Sequence, residues 1–218
     1  MLQHVWERAS ATRYLSNVII ATDHDDIYNE ARRFGAQVRM TRSDHASGTD
    51  RVAEIAASDA ASVIVNIQGD EPLIDPAAID GLVFSMLEDV ELRMGTLKKR
   101  IEHTPEVQNP NVVKVVTDRD GDAIYFSRCP IPYQRETGGE PTVYYKHIGL
   151  YAYNREFLLG YSDLPVGPLE QAEKLEQLRA LENGYRIRVV ETDYDSLGVD
   201  TPEDLEKLRT VLESMTLR

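Results

Sequence analysis

The sequence predicts an α/β fold: one domain over residues 1–218, with a mixed, mainly parallel central sheet flanked by helices. Three observations lead there. Short β-branched apolar runs alternate with amphipathic stretches of helical period through the first half, the pattern of strand–helix–strand units on a parallel sheet. The second half is a meander of strands joined by tight turns, which is an antiparallel signature. At 218 residues the chain is long enough to bury one full α/β core, and no linker or internal repeat divides it.

The elements follow in order. Leu2, Val5 and Ala9, with Trp6 beside them, lie at helical spacing, so the chain opens inside a helix with no preceding turn or N-cap. Asn17–Thr22 (N-V-I-I-A-T) reads as a buried strand. Asp23-His24-Asp25 then caps a helix running to Phe34, which Gly35 stops. Gln37–Met40 is a short strand. Thr41–Arg51 is a polar loop entering the helix Thr49–Ala57. Val63–Ile67 is a strand, Pro76–Leu87 a helix with proline in its first turn, and Leu92–Leu97 a strand.

Asn109-Pro-Asn111 is a turn before the strand Val112–Val116. Asp118-Arg-Asp-Gly121 is a hairpin turn into Ala123–Ser127. Ser127–Tyr133 carries two prolines and reads as rigid, whereas the Gly-rich stretch Glu136–Pro141 reads as mobile. Tyr144–Tyr153 alternates and is rich in β-formers, so it is a strand with His147, Gly149 and Tyr151 on one face. Its apolar face is also the expected surface for a two-fold interface. Leu169–Leu181 reads as one helix, with Leu175, Leu178 and Leu181 as its apolar stripe and Glu173, Glu176 and Gln177 on another. Ile187–Val190 is a strand and Pro202–Leu212 an amphipathic final helix.

Charge narrows the function. Lys and Arg number 24 against 37 Asp and Glu, a net charge of −13, the opposite of what a phosphate-backbone binder needs, so no nucleic acid partner is expected. Anionic small substrates stay open, because a bound divalent cation reverses the local field. The single cysteine, Cys129, forms no internal disulfide, fits a reducing compartment and reads as inert packing. No apolar run is long enough for a membrane span, and Met1-Leu-Gln-His-Val-Trp-Glu-Arg lacks the three regions of a signal peptide. The expectation is a cytoplasmic protein with no membrane insertion.

Chemistry concentrates in Val63–Pro72, V-I-V-N-I-Q-G-D-E-P. An apolar strand breaks at Gln68-Gly69 into acids, and the carboxyl ends of strands in open α/β sheets are where ligands bind. Asp70 stands there, beside a glycine that lets a ligand approach the backbone. Asp200 stands at a second strand-to-helix junction, in G-V-D-T-P-E-D-L (198–205), where capping is the ordinary alternative. Two carboxylates meeting in a cleft can hold Mg²⁺, with phosphate oxygens completing its shell. Ser47-Gly48 at a helix start, with Arg51, can hold a base, sugar or phosphate. Taken alone, that stretch reads as an ordinary N-cap with a solvated arginine. Arg128 reads alone as a surface charge and His147 as a satisfied buried histidine. The chain has neither a P-loop nor a G-x-G-x-x-G fingerprint, and no zinc-type Cys/His spacing. Residue chemistry stops at a Mg²⁺-dependent enzyme acting on a small phosphorylated substrate.

Eight stretches take the reading further. A-T-D-H-D-D (21–26), H-A-S-G-T-D-R (45–51), V-N-I-Q-G-D-E-P (65–72), N-P-N-V-V-K-V-V (109–116), Y-F-S-R-C-P-I-P-Y (125–133), H-I-G-L-Y-A-Y (147–153), L-E-Q-L-R (175–179) and G-V-D-T-P-E-D-L (198–205) occur in this order. In this the chain resembles the 3-deoxy-manno-octulosonate cytidylyltransferases, or CMP-Kdo synthetases, over essentially its whole length. The resemblance implies a single cytidylyltransferase domain of the nucleotide-diphospho-sugar transferase fold, a homodimer and Mg²⁺. It implies that CTP and Kdo give CMP-Kdo and pyrophosphate for lipopolysaccharide synthesis. By motif, Asp70 and Asp200 resemble the catalytic metal-binding aspartates. Ser47, Gly48, Arg51 and Gln68 fall in segments that contact the nucleotide, and Arg128, His147, Tyr151, Glu176 and Gln177 in segments that surround the sugar acid.

One block of the family pattern, P-A-R-x-x-S-x-R-L-P-x-K-P-L with the strand before it, does not occur in the chain. In the family that strand lies between the strands corresponding to Asn17–Ala21 and Val63–Asn66, so both are expected to show unpaired edges. Three readings stand at this point: a CMP-Kdo synthetase, a cytidylyltransferase for another acid sugar such as 8-amino-Kdo or a sialic acid, and an inactive remnant that only binds.

Overall fold

A computed structural model of the chain describes residues 1–135, 141–195, 198, 199, 201, 203–206 and 208–210. The elements run α1 (Leu2–Ser10), β1 (Ile19–Thr22), α2 (Asp25–Arg33), β2 (Gln37–Met40), α3 (Gly48–Ala57), β3 (Val63–Asn66), α4 (Pro76–Glu88), β4 (Met94–Arg100) and α5 (Thr104–Gln108). There follow β5 (Lys114–Thr117), β6 (Ala123–Ser127), β7 (Tyr145–Asn154), α6 (Arg155–Leu159), a 3-10 turn at Tyr161–Asp163, α7 (Pro168–Glu173), α8 (Gln177–Glu182) and β8 (Ile187–Glu191). Residues 136–140 of the expected mobile stretch Glu136–Pro141, together with Asp200 and Pro202, lie outside the described residues.

Local chemistry sets the element ends. Ser47 caps α3 by accepting from the Asp50 amide at 3.2 Å, and Asp75 caps α4 by accepting from Ala77 at 3.0 Å ahead of Pro76. In α2 the cap is His24 rather than an aspartate: its Nδ1 accepts from the Asp26 amide at 3.2 Å. The β5–β6 turn needs Gly121, whose φ is +84°, while the Asp118 carboxylate takes the Asp120 and Asp122 amides.

The order β6-β5-β7-β4-β8 forms the main sheet, with β3 also paired to β7. β4–β8 is parallel, whereas β3–β7, β4–β7, β5–β6 and β5–β7 are antiparallel. The mixed α/β class therefore holds, with a smaller parallel share than the strand–helix alternation predicts. The long antiparallel strand β7 is the reason: it serves β4 on one side and both β3 and β5 on the other.

β7 lies within the core, and this corrects the expectation that it offers an apolar face to a partner. Its Ile148, Leu150 and Ala152 join α1 and α4 in one core. Its Tyr153 joins α3, α6 and α8 in a second, with Tyr151 packed against it. Burying one such aliphatic or aromatic side chain contributes about 1.5–3 kcal/mol. α4 packs close enough to β4 that a Cβ on Gly95 would approach Leu82 Cδ1 to 2.9 Å.

β1 and β2 form a separate parallel pair. Between β1 and β3 lies a cavity of about 510 Å³ lined by Asn17–Ala21 and Ala61–Gly69. Consecutive residues line it, not alternate ones, so each strand presents its edge to the cavity and not one of its faces. Both strands have the same half-covered pattern, with three half-buried residues and then one buried. Among the described residues β1 pairs only with β2 and β3 only with β7, so the expected unpaired edges face each other across a slot.

The predicted helix Leu169–Leu181 is two helices. Lys174 has φ +54° and ψ +46°, a left-handed C-cap that ends α7, and α8 restarts after Glu176. The break turns Glu173 and Glu176 in separate directions. Glu173 accepts from Ser127 Oγ at 2.6 Å and the Arg128 amide at 2.9 Å, while Glu176 turns to α3. They therefore do not share a helical stripe. Arg179 ties the two helices together through a bidentate pair with Glu170 at 2.7 and 2.8 Å. Cys129 is exposed, not packed.

Candidate active site

β3 delivers Gln68, Gly69 and Asp70 at its carboxyl end, where the apolar run gives way to a loop. Gln68 and Gly69 line the slot together with Gly48 and Arg51 of α3. Three of the four nucleotide-side residues thus share one cavity, and the fourth, Ser47, caps the helix that carries the other two. Arg51 is not a free surface charge. Its guanidinium pairs with Asp23 Oδ2 at 3.1 Å, binds Thr41 Oγ1 and reaches the Arg42 carbonyl. Hydrogen bonding from Arg51 holds the Asp23 carboxyl below the ordinary aspartate value. The guanidinium is thereby fixed beside the carboxyl end of β1.

The Asp70 carbonyl accepts from the Val199 amide at 3.0 Å, so the loop after β3 touches the segment that leads to Asp200. Asp200 itself lies outside the described residues. The Asp70 carboxylate has no hydrogen bond or ion pair among the described residues, and no group of three or more His, Cys, Asp or Glu side chains gathers there. The Asp70 carboxylate is a hard oxygen donor, the type of which Mg²⁺ takes one or two together with waters and substrate phosphates.

Glu176 joins the two halves of the site. Its carboxylate accepts from Ser47 Oγ at 3.4 Å and from Thr49 Oγ1 at 3.3 Å, so a sugar-side residue meets the start of the nucleotide-side helix. Burial raises its carboxyl above the ordinary glutamate value, opposed by Arg179 and the Thr49 hydroxyl. Its carbonyl accepts from Tyr161 OH at 2.8 Å. Next to it, Gln177 is 3% exposed, and its Nε2 is the buried side-chain nitrogen or oxygen left without a partner among the described residues. A buried amide donor without an acceptor costs about 1–3 kcal/mol.

His147 and Tyr151 lie on one face of β7, as alternation predicts, with ring centroids 5.4 Å apart. Tyr151 stacks on Tyr153 at 6.0 Å, and Phe126 meets His147 edge-on at 5.1 Å. Burial pushes the His147 imidazole down to about 3 and the Tyr151 phenol well above its ordinary value. Both rings are neutral hydrogen-bonding groups at physiological pH. Arg128 is placed differently from its neighbours in the sequence motif. Its Nε donates to the Glu173 carbonyl at 2.7 Å and its NH1 to the Pro110 carbonyl at 3.0 Å. In this arrangement it joins loops beside the Glu176 segment.

Some residues of the site carry no sequence signal. Thr49 is an ordinary first-turn residue in sequence but holds Glu176. Thr96, fully buried, holds His147 from β4, and Lys114, also fully buried, donates to the Asn109, Val112 and Arg128 carbonyls. Only Asp23, in A-T-D-H-D-D at the end of an apolar strand, was legible as a candidate in the way Asp70 was.

Comparison with known proteins decides the family. A profile of the family described as Cytidylyltransferase matches residues 1–187. The 3-deoxy-manno-octulosonate cytidylyltransferase of Solibacter usitatus is 64% identical over 218 residues, 100% of this chain and 86% of that protein. The chain belongs to the 3-deoxy-manno-octulosonate cytidylyltransferase family. Its counterpart from Geobacter metallireducens is 52% identical over 95% of this chain and 85% of its own. The solved structure of a CMP:2-keto-3-deoxy-manno-octonic acid synthetase complexed with CTP superposes with a TM-score of 0.93. It is 43% identical and covers 98% of this chain and 88% of that one. A cytidylyltransferase from Leptospira borgpetersenii, 18% identical with a TM-score of 0.60 over 98% of this chain and 75% of its own, shares the fold. A 3-deoxy-manno-octulosonate cytidylyltransferase is a nucleotidyltransferase, and the α/β architecture with its mixed sheet is that of the nucleotide-diphospho-sugar transferases. No described helix is long and apolar enough to cross a membrane.

Proposed function

We propose that this chain transfers the cytidylyl group of CTP to 3-deoxy-D-manno-octulosonate, releasing pyrophosphate and supplying CMP-Kdo for lipopolysaccharide synthesis. One observation carries the reading. The Ser47/Thr49–Glu176 contact puts the start of the nucleotide-side helix against the segment that also bears Gln177, with the His147–Tyr151 wall on the adjoining strand. Two substrates held on either side of that contact have their reacting groups between them, which lowers the barrier through proximity and orientation. The anomeric hydroxyl of the sugar acid attacks the α-phosphorus in line, and pyrophosphate leaves.

In this reading Gly48, Arg51 and Gln68 hold the nucleotide. Tyr151 and Gln177 hold the sugar acid with His147 and Glu176, and Arg128 shapes their loop. Asp70 and Asp200 would hold Mg²⁺, which neutralises phosphate charge when bound. The family resemblance supports a two-fold homodimer. The lone cysteine supports a cytoplasmic location, and the whole chain acts as one cytidylyltransferase domain. Pyrophosphate release is the test, with CTP against ATP and GTP, and Kdo against 8-amino-Kdo and N-acetylneuraminate. CTP with Kdo should give the highest kcat/KM. A preference for either other acid sugar, or no release from any pair, overturns the assignment. Light scattering should return twice the chain mass.

A further inference from the structure

We propose that Thr96 is a positioning residue that fixes His147 as the neutral tautomer protonated at Nε2, leaving Nδ1 as the acceptor for a hydroxyl of the acid-sugar substrate. The substrate half rests on the function proposed above; the tautomer half does not. Thr96 pairs with Tyr151, but its neighbour Leu97 pairs with Ile148, so the β4–β7 register jumps and Gly149 and Leu150 bulge from the ladder. The Thr96 hydroxyl, 0% exposed, fills the bulge. Its Oγ1 lies 2.8 Å from the Leu150 carbonyl oxygen, 3.1 Å from that of Ile148 and 2.9 Å from His147 Nε2.

A hydroxyl has one proton to give, and carbonyl oxygens only accept. If that proton went to His147 Nε2, two carbonyl oxygens would face bare oxygen lone pairs at 2.8 and 3.1 Å. If it goes to the Leu150 carbonyl, both of the shortest contacts become hydrogen bonds, because the hydroxyl then accepts from Nε2–H. Only the second arrangement leaves neither short contact repulsive. Nδ1 has no hydrogen-bond partner among the described residues. A neighbouring ring, Phe126, meets the imidazole edge-on and restrains its rotation. The bulge thus does more than bend β7, since its carbonyls dictate which imidazole nitrogen carries the proton.

The test is ¹⁵N NMR of the full chain labelled at histidine, with Thr96→Val and Thr96→Ser. The wild type and Thr96→Ser should show His147 protonated at Nε2 with an unprotonated Nδ1. Thr96→Val should lose that preference, with KM for Kdo raised about tenfold and KM for CTP unchanged. Adding Kdo should shift the wild-type Nδ1 resonance. A wild-type His147 protonated at Nδ1, or a Thr96→Val protein that keeps the Nε2 proton fully, overturns the positioning role. The wild-type spectrum decides the tautomer even if Thr96→Val fails to fold. If the tautomer is as stated but Kdo leaves Nδ1 unmoved, the substrate contact is wrong. Absence of Kdo turnover by the wild type removes the proposed function and leaves the tautomer result standing.

Discussion

Glu176 Oε2 accepts the Thr49 hydroxyl at 3.3 Å across 127 residues of chain, and Ser47 reaches the other carboxylate oxygen. The contact makes the start of α3 and the start of α8 one unit. Glu176→Ala should therefore impair the use of both substrates. Hydrogen bonds to a charged group are worth about 1.5–3 kcal/mol, so kcat/KM should fall about tenfold or more. Glu176→Gln keeps an acceptor and should lose less. Steady-state kinetics with each substrate varied in turn checks this, and an alanine variant as active as the wild type refutes it.

Asp70→Ala should abolish CMP-sugar formation while leaving thermal melting within a few degrees of the wild type, because it removes a carboxylate without hydrogen bonds among the described residues. Asp200→Ala should likewise abolish turnover. Pyrophosphate release across a Mg²⁺ titration, alongside a melting curve, gives both readings. Near-normal turnover by either variant would show that the aspartates do not hold the metal.

Lys114→Met should be strongly destabilising with little change of volume. The ammonium is fully buried and donates to three carbonyls, on the Asn109 turn, at Val112 and at Arg128. Leaving them without a donor costs about 1–3 kcal/mol per dry acceptor. A total of about 3 kcal/mol lowers the melting temperature by about 6–12 °C in a chain of this size. Urea unfolding measures it directly.

His147 gives the stability a defined pH dependence. Its folded-state value is pushed down to about 3 by burial, whereas an unfolded histidine titrates near 6.5. Below about pH 6.5 the unfolded chain takes up a proton that the native state refuses, so stability falls with falling pH and is fully present above 6.5. The slope is at most about 1.4 kcal/mol per pH unit, or about 3–6 °C. Melting between pH 7 and 5 should show it, and His147→Phe should flatten this part of the curve. An unchanged slope in that variant assigns the dependence elsewhere.

What was legible in the sequence was what local chemistry encodes. V-I-V-N-I-Q-G-D-E-P announced both a strand and the loop at its end, and Y-K-H-I-G-L-Y-A-Y placed His147 and Tyr151 on one face. The helix break at Lys174 was not legible, because L-E-Q-A-E-K-L-E-Q-L-R-A-L is made of good helix formers at continuous spacing. Distant partners decide it: Ser127 and Arg128 hold Glu173, and α3 holds Glu176. The core position of β7 was hidden for a related reason, since alternation marks two faces but does not say what covers either. Thr96 was invisible because a lone threonine in a strand has no motif, and its role exists only once the β4–β7 register jumps. Thr49 and Lys114 are the same kind of residue, defined by partners that only folding supplies.

The open edges of β1 and β3 also bear on how copies of this molecule behave together. An unpaired strand edge is a template for another chain. What opposes association beyond the proposed dimer is long-range repulsion from a net charge of −13 per chain, which acts over about a Debye length. Solutions should therefore stay clear at neutral pH and low salt. Turbidity should develop as salt shortens that range or as acid brings the chain toward its isoelectric point near 4.8.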